Sequence, residues 1–152
     1  LYVCENNQWQ AFVHRREAMS VEHVSRWAAG YGMSSATVDG NDVGCVRAAA
    51  LDAIDAIRAG GGPFLLETCT YRLRGHFEPD DQAYVDAAEL AVWRARDPLP
   101  REAARLRESG RLSEAALAAI EAGVRRRIDA AVAFAGESPF PDLSELVTDV
   151  YA

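Results

Sequence analysis

Two short polar clusters hold the residues of this sequence best suited to chemistry. Glu5-Asn6-Asn7 follows the apolar run Leu1-Tyr2-Val3-Cys4, and Arg72-Leu73-Arg74-Gly75-His76 follows the mostly apolar stretch Phe64 to Tyr71. The first offers amide and backbone carbonyl oxygens, hard donors that suit a cation such as Mg²⁺ bridging phosphate oxygens. The second offers two guanidiniums and an imidazole beside a glycine that lets the backbone come close, which suits a phosphate or diphosphate. Together they suggest a metal diphosphate site. Each has a plainer reading as well. An Asn pair builds Asx-turns, and a loop holding Arg72, Arg74, His76, Glu78, Asp80 and Asp81 can close on its own ion pairs.

Both clusters need elements to position them. Residues 1–4 read as a short buried strand, Ala36-Thr37-Val38 as a second and Phe64 to Tyr71 as a third. A loop from Glu5 to about Ser20 follows the first strand. Ser20 is expected to cap a helix whose apolar positions Val21, Val24, Trp27, Ala28 and Tyr31 recur at spacings of three and four, with Gly30 and Gly32 as its stop. Asp39-Gly40-Asn41-Asp42 turns the chain and caps a longer helix carrying Val43, Val46, Ala50, Ile54 and Ile57 on one face. Gly60-Gly61-Gly62-Pro63 closes that helix. Strand, helix, strand, helix, strand predicts an α/β fold with a mainly parallel sheet, which collects ligands at the carboxyl ends of its strands. Beyond a polar loop ending near Gln82 the chain reads as helical. Pieces are expected over 89–96 and 100–108, and a long helix starts at Ser113 with the stripe Leu117, Ile120, Val124, Ile128 and Val132. The expected division is therefore 1–82 and a helical region 83–152.

Composition narrows the function classes. With 152 residues, 49% apolar and 26% charged, the chain is in the globular range, and no apolar run approaches a membrane span. A net charge of −7 argues against a general nucleic-acid or membrane-surface binder. All 16 basic residues are Arg, so no lysine Schiff base can arise in this chain. Cys4, Cys45 and Cys69 show no CxxC spacing and are expected to be small core residues of a protein in a reducing, cytoplasmic compartment. His14 and His23 belong to no motif, and His23 is expected exposed in the first turns of its helix. The apolar opening Leu1-Tyr2-Val3-Cys4 predicts a sheet that another chain must cover.

Several segments, in register along the whole chain, carry a resemblance. They are Val3-Cys4-Glu5-Asn6-Asn7, Val38-Asp39-Gly40-Asn41-Asp42-Val43, Gly62-Pro63, Glu67-Thr68-Cys69-Thr70-Tyr71-Arg72-Leu73-Arg74-Gly75-His76, Trp93 with Asp97-Pro98, and Ser138-Pro139-Phe140-Pro141 followed by Asp149-Val150-Tyr151-Ala152. Their order resembles the alpha subunit of thiamine diphosphate-dependent E1 enzymes, the pyruvate, branched-chain 2-oxo acid and acetoin dehydrogenases. In that family the thiamine motif begins with Gly-Asp-Gly and ends in Asn-Asn some thirty residues later; only its second half is present here.

The resemblance implies that Asn7 is the side-chain Mg²⁺ ligand, that Trp9 gives its backbone carbonyl to the same ion and that Asn6 holds the strand-end turn. It implies that His76 contacts the thiamine diphosphate and faces the entrance used by the lipoyl arm of a partner acyltransferase, with Arg72 and Arg74 either on phosphate or ordering the loop. It makes 1–82 the C-terminal half of a diphosphate-binding α/β domain and 83–152 its helical extension. It also implies two partners, an N-terminal half with the Gly-Asp-Gly motif and a beta subunit that brings the activating glutamate. The reaction implied is oxidative decarboxylation of a 2-oxo acid, or acyloin cleavage, with acyl transfer to lipoamide. Two other readings are a thiamine-dependent carboligase or decarboxylase of a biosynthetic pathway and a non-catalytic assembly module of the same fold.

The sequence departs from the family pattern at two places. Ala11-Phe12-Val13-His14 stands where Ser, Thr and Pro are common. Phe77 stands where mitochondrial-type members carry a regulatory Ser, so phosphorylation has no acceptor there; Phe77-Glu78 resembles bacterial acetoin dehydrogenase-type members.

Overall fold

The computed structural model describes residues 1–148, and its strands are β1 (Tyr2–Asn6), β2 (Trp9–Gln10), β3 (Val13–His14), β4 (Ser34–Asp39) and β5 (Phe64–Cys69). The chain divides into two compact units, Leu1–Arg105 and Leu106–Ala152. In the first, β1, β5 and β4 form a parallel sheet in that order. The register sets Cys4 and Thr37 on either side of Glu67, and Asn6 and Asp39 on either side of Cys69. All three strands thus end at one level, the carboxyl edge expected from the alternating pattern. β5 is central, with Leu66, Glu67 and Thr68 buried. β1 is paired on one side only among the described residues, so Leu1, Tyr2 and Val3 are exposed rather than buried as expected.

The segment between β1 and β4 differs from its sequence pattern. β2 and β3 form a small antiparallel hairpin where a plain loop is expected, followed by α1 (Arg15–Ala18). The next helix starts at Val24, not after Ser20, and is a 3-10 helix over Val24–Tyr31 that ends at Gly32 in the left-handed region, φ 66°. His23 occupies its N-cap without a capping hydrogen bond from its side chain. The cap is supplied from β5: Glu67 accepts the backbone N–H groups of Val24 and Ser25 at 3.0 and 2.9 Å. These are among the donors that a helix start leaves unpaired.

α2 (Val43–Arg58) follows the pattern, and Asp42 caps it by accepting Cys45 N–H at 2.9 Å. Cys45 lies exposed on it, and Cys4 and Cys69 are half-buried, so none of the three thiols is in the core; all are unpaired. Cys4 and Cys69 share the Glu67 face of the sheet, where a buried carboxylate replaces apolar packing. α3 (Ala87–Arg94) is capped by Asp86 and places Trp93 stacked on Tyr71, ring centroids 5.4 Å apart. α4 (Pro98–Glu108) begins on proline, with Asp97 accepting Leu99 N–H at 2.9 Å.

In the second unit, Ser113 caps α5 (Glu114–Glu137) through Ala116 N–H. The expected stripe is present, but Ile120, Val124, Ile128 and Val132 are exposed. A short 3-10 turn, Leu143–Val147, follows. The terminal Asp149-Val150-Tyr151-Ala152 motif lies outside the described residues.

Candidate functional site at the carboxyl edge

Backbone hydrogen bonds continue past the strand ends and join the loops there. Thr70 N–H donates to Asn6 O at 2.9 Å, Arg72 N–H to Asn7 O at 3.1 Å and Gly40 N–H to Cys69 O at 2.7 Å. The two polar clusters singled out in the sequence are therefore neighbours, although 65 positions separate Asn7 from Arg72 along the chain.

Asn6 is buried. Its amide donates to Glu67 Oε1 at 2.6 Å, and its Oδ1 accepts from Gln8 at 3.3 Å (backbone) and 3.1 Å (side chain). Asn7 is half-buried, and its Oδ1 accepts Trp9 N–H at 3.0 Å across Gln8, which sits at φ 68°. This is the Asx-turn of the plainer reading, yet the amide oxygen retains a second lone pair. An amide oxygen and nearby backbone carbonyls are a hard donor set that fits Mg²⁺. A cavity of about 400 Å³ opens beside them, lined among others by Glu5, Asn6, Asn7, Trp9, Arg15 and Trp27.

The loop after β5 is closed by Asp80. Arg72 Nη2 donates to Tyr84 Oη at 2.6 Å, Tyr84 donates to Asp80 Oδ2 at 2.7 Å, and His76 N–H donates to the same oxygen at 2.6 Å. The Tyr84 hydroxyl first, joined by the Gln82 and His76 N–H groups, holds the Asp80 carboxyl below its ordinary pKa against the opposing effect of burial. A side chain at Gly75 would put its Cβ 2.6 Å from Asp80, so this closure needs glycine there.

Arg72 Nη1 lies 3.4 Å from His76 Nδ1. A guanidinium can only donate, so Nδ1 accepts and the ring proton sits on Nε2. His76 is exposed and meets Phe12 edge-on at 5.5 Å. Arg72 also lies over the Trp9 ring, 5.6 Å from its centroid. Arg74 is exposed and makes no hydrogen bond or ion pair among the described residues. The structure thus brings Asn6, Asn7, Trp9, Arg72 and His76 into one region and leaves Arg74 at its margin.

Four further residues, none of them among the expected site residues, shape the region. Glu67 is completely buried and accepts from Asn6, Val24, Ser25 and, at 3.2 Å, Thr37. Burial pushes its pKa up, but the Ser25 N–H, the Asn6 amide and the Val24 N–H outweigh burial and hold it low. A glutamate inside the apolar run of a central strand is the signal that marks it. Asn41 joins the end of β5 to the end of α3, accepting Thr70 Oγ1 at 2.6 Å and donating to Arg96 O at 2.9 Å. Tyr84 carries the loop closure. His14, buried, caps α1 by accepting Arg16 N–H at 3.1 Å. His23, expected exposed, instead faces Glu67 and Cys69.

A parallel α/β sheet with its polar loops gathered at the carboxyl edge defines the class, the open α/β proteins, in which ligands collect where the strands end. The dehydrogenase E1 component family is matched over residues 1–144, and the chain belongs to that family. It is 38% identical over 152 residues to the pyruvate dehydrogenase E1 component subunit alpha-3, chloroplastic, of Arabidopsis thaliana, covering 100% of this chain and 36% of that one. It is 38% identical to the alpha subunit of acetoin:2,6-dichlorophenolindophenol oxidoreductase of Bacillus subtilis, covering 99% and 45%, and 35% identical to the 3-methyl-2-oxobutanoate dehydrogenase subunit alpha of Mycobacterium tuberculosis, covering 100% and 42%. The chain spans less than half the length of these relatives.

Proposed function

We propose that this chain is the C-terminal part of an E1 alpha subunit and helps bind Mg²⁺-thiamine diphosphate for oxidative decarboxylation of a 2-oxo acid, or cleavage of acetoin, with acyl transfer to lipoamide. Residues 1–82 serve as half of the diphosphate-binding domain and 83–152 as its helical extension. The remaining parts of the site come from an N-terminal half carrying Gly-Asp-Gly and from a beta subunit, and a lipoyl-bearing acyltransferase takes the product. The unpaired thiols support a reducing, cytoplasmic location; no helix among the described residues is long and apolar enough to cross a membrane.

The observation that carries this reading is the Arg72 N–H to Asn7 O bond, which keeps the hard oxygen donors beside the cationic loop. Asn7 Oδ1 and the Trp9 carbonyl would hold Mg²⁺. Thiamine diphosphate supplies the carbanion chemistry that cleaves a bond next to a carbonyl. His76, its proton kept on Nε2 by Arg72, would donate to a diphosphate oxygen, and the unpaired Arg74 adds positive charge at the margin. Asn6 acts through the turn, tied to Glu67.

Calorimetry tests the proposal. The 152-residue chain alone is expected to bind no thiamine diphosphate, and adding the N-terminal half and a beta subunit is expected to restore Mg²⁺-dependent binding. Tight binding by the chain alone, or none after reconstitution, overturns it.

A further inference from the structure

On the face of the sheet that meets the 3-10 helix, three unlike side chains converge. Glu67 and Cys69 are two apart on β5 and so project from the same side. His23, the N-cap of the 3-10 helix, lies over them. His23 Nδ1 is 3.8 Å from Glu67 Oε2 and 3.8 Å from Cys69 Sγ, and the three donor atoms all fall within 4.8 Å of one another. Bonds of about 2.0–2.3 Å to a tetrahedral Zn²⁺ place ligand atoms about 3.3–3.8 Å apart. The cluster is therefore close to the spacing of three zinc ligands before any side chain moves.

We propose that His23, Glu67 and Cys69 form a site for a borderline-soft divalent cation, Zn²⁺ foremost, separate from the oxygen donors at Asn7. Sulfur, nitrogen and oxygen together favour Zn²⁺ over Mg²⁺. A second observation supports a ligand role for His23. Glu22 Oε1 lies 3.9 Å from its Nε2, on the far side of the ring, a short side-chain swing away from accepting the Nε2 proton once Nδ1 holds a cation. Glu67 can spare a lone pair on Oε2. The Thr37 hydroxyl that reaches it at 3.2 Å also lies 2.7 Å from Ser25 Oγ and can donate there instead. Cys69 is a thiol whose pKa is raised by burial and by the Glu67 charge, so binding the cation transfers its proton to solvent. His23 is partly exposed, which gives the ion a way in. A water would complete the coordination.

Co²⁺ is the probe. The protein in its full assembly is stripped with a chelator, returned to Mg²⁺ and titrated with Co²⁺. A thiolate-to-cobalt absorption band is expected, discharged by Zn²⁺ and absent in Cys69→Ala. His23→Gln is expected to weaken binding by more than about 10-fold, whereas Cys45→Ala leaves it unchanged. No band, or a band that survives Cys69→Ala, overturns the proposal. Should Cys69→Ala fail to fold, the wild-type protein suffices: Zn²⁺ is expected to slow maleimide labelling of Cys69 and not of Cys45, and equal rates at Cys69 with and without Zn²⁺ overturn the proposal.

Discussion

Asn6 and Glu67 are bonded side chain to side chain across neighbouring strands, amide to carboxylate at 2.6 Å, with both residues buried. The same carboxylate starts the 3-10 helix, so one charge holds the strand-end turn and an adjoining helix together. Glu67→Gln would turn an amide NH₂ toward groups that are themselves donors. A cost of about 1–3 kcal/mol is expected for each donor left stranded, read as a lower urea midpoint. An unchanged midpoint would show that Glu67 is dispensable.

His14 gives a pH dependence. Burial first, then the Arg16 guanidinium, hold its pKa below the ordinary value, and the opposing pull of Glu89 does not restore it. The unfolded chain takes up a proton near pH 6.5 while the folded one resists. Stability is therefore full above about pH 6.5 and falls as the pH drops toward the folded value. His14→Asn keeps an acceptor for the cap of α1 and is expected to flatten the slope of urea midpoint against pH between about 5 and 6.5. A slope as steep as wild type would assign the effect elsewhere.

Asn7→Ala removes the proposed cation ligand while leaving the backbone carbonyl that pairs with Arg72. Losing a direct ligand should cost more than the roughly 10- to 100-fold typical of supporting residues, measured as Mg²⁺-dependent cofactor affinity in the reconstituted assembly. Full affinity would move the ligand to another residue.

Gly40→Ala tests how closely the strand ends approach. A Cβ there would stand 2.8 Å from Cys69 O, on backbone that cannot swing away. A loss of about 1–3 kcal/mol is expected. Gly30→Ala meets nothing within 4 Å and serves as the control; calorimetric melting of both variants should separate them, and a common melting temperature would contradict the close approach.

Tyr84→Phe deletes the hydroxyl that links Arg72 to Asp80. Protease cleavage within 72–86 is expected to become several-fold faster with global stability little changed, followed by mass mapping of the fragments. Equal cleavage would mean that Asp80 closes the loop without it.

The parallel sheet and the Asp42-capped α2 were legible because their signals are local: apolar runs, a turn residue, and periodicity over a few turns. Asn7 and His76 stood out by type and by their place after strands. The hairpin did not, because Gln8 and Ala11 take left-handed backbone conformations without glycine to announce them. Ser20 offered a local cap, and a carboxylate 47 positions further along the chain from it supplied the real one. Cys4 and Cys69 misled for a related reason. Their apolar neighbours suggested a core, but the face they occupy is organised around a charge, while Cys45 lies exposed on α2.

The strand order has a consequence for synthesis. Within the described residues β1 finds its ladder partner in β5, with β4 on the far side. Emerging from the ribosome, β1 finds no ladder partner among the described residues until Phe64–Cys69 appears; α2, capped locally by Asp42, can already form, whereas the 3-10 helix still awaits Glu67 at its start. Contacts so distant in sequence are slow to make. Until β5 arrives, β1 and β4 both stand without a partner strand among the described residues, so this one strand completes the sheet on both sides at once.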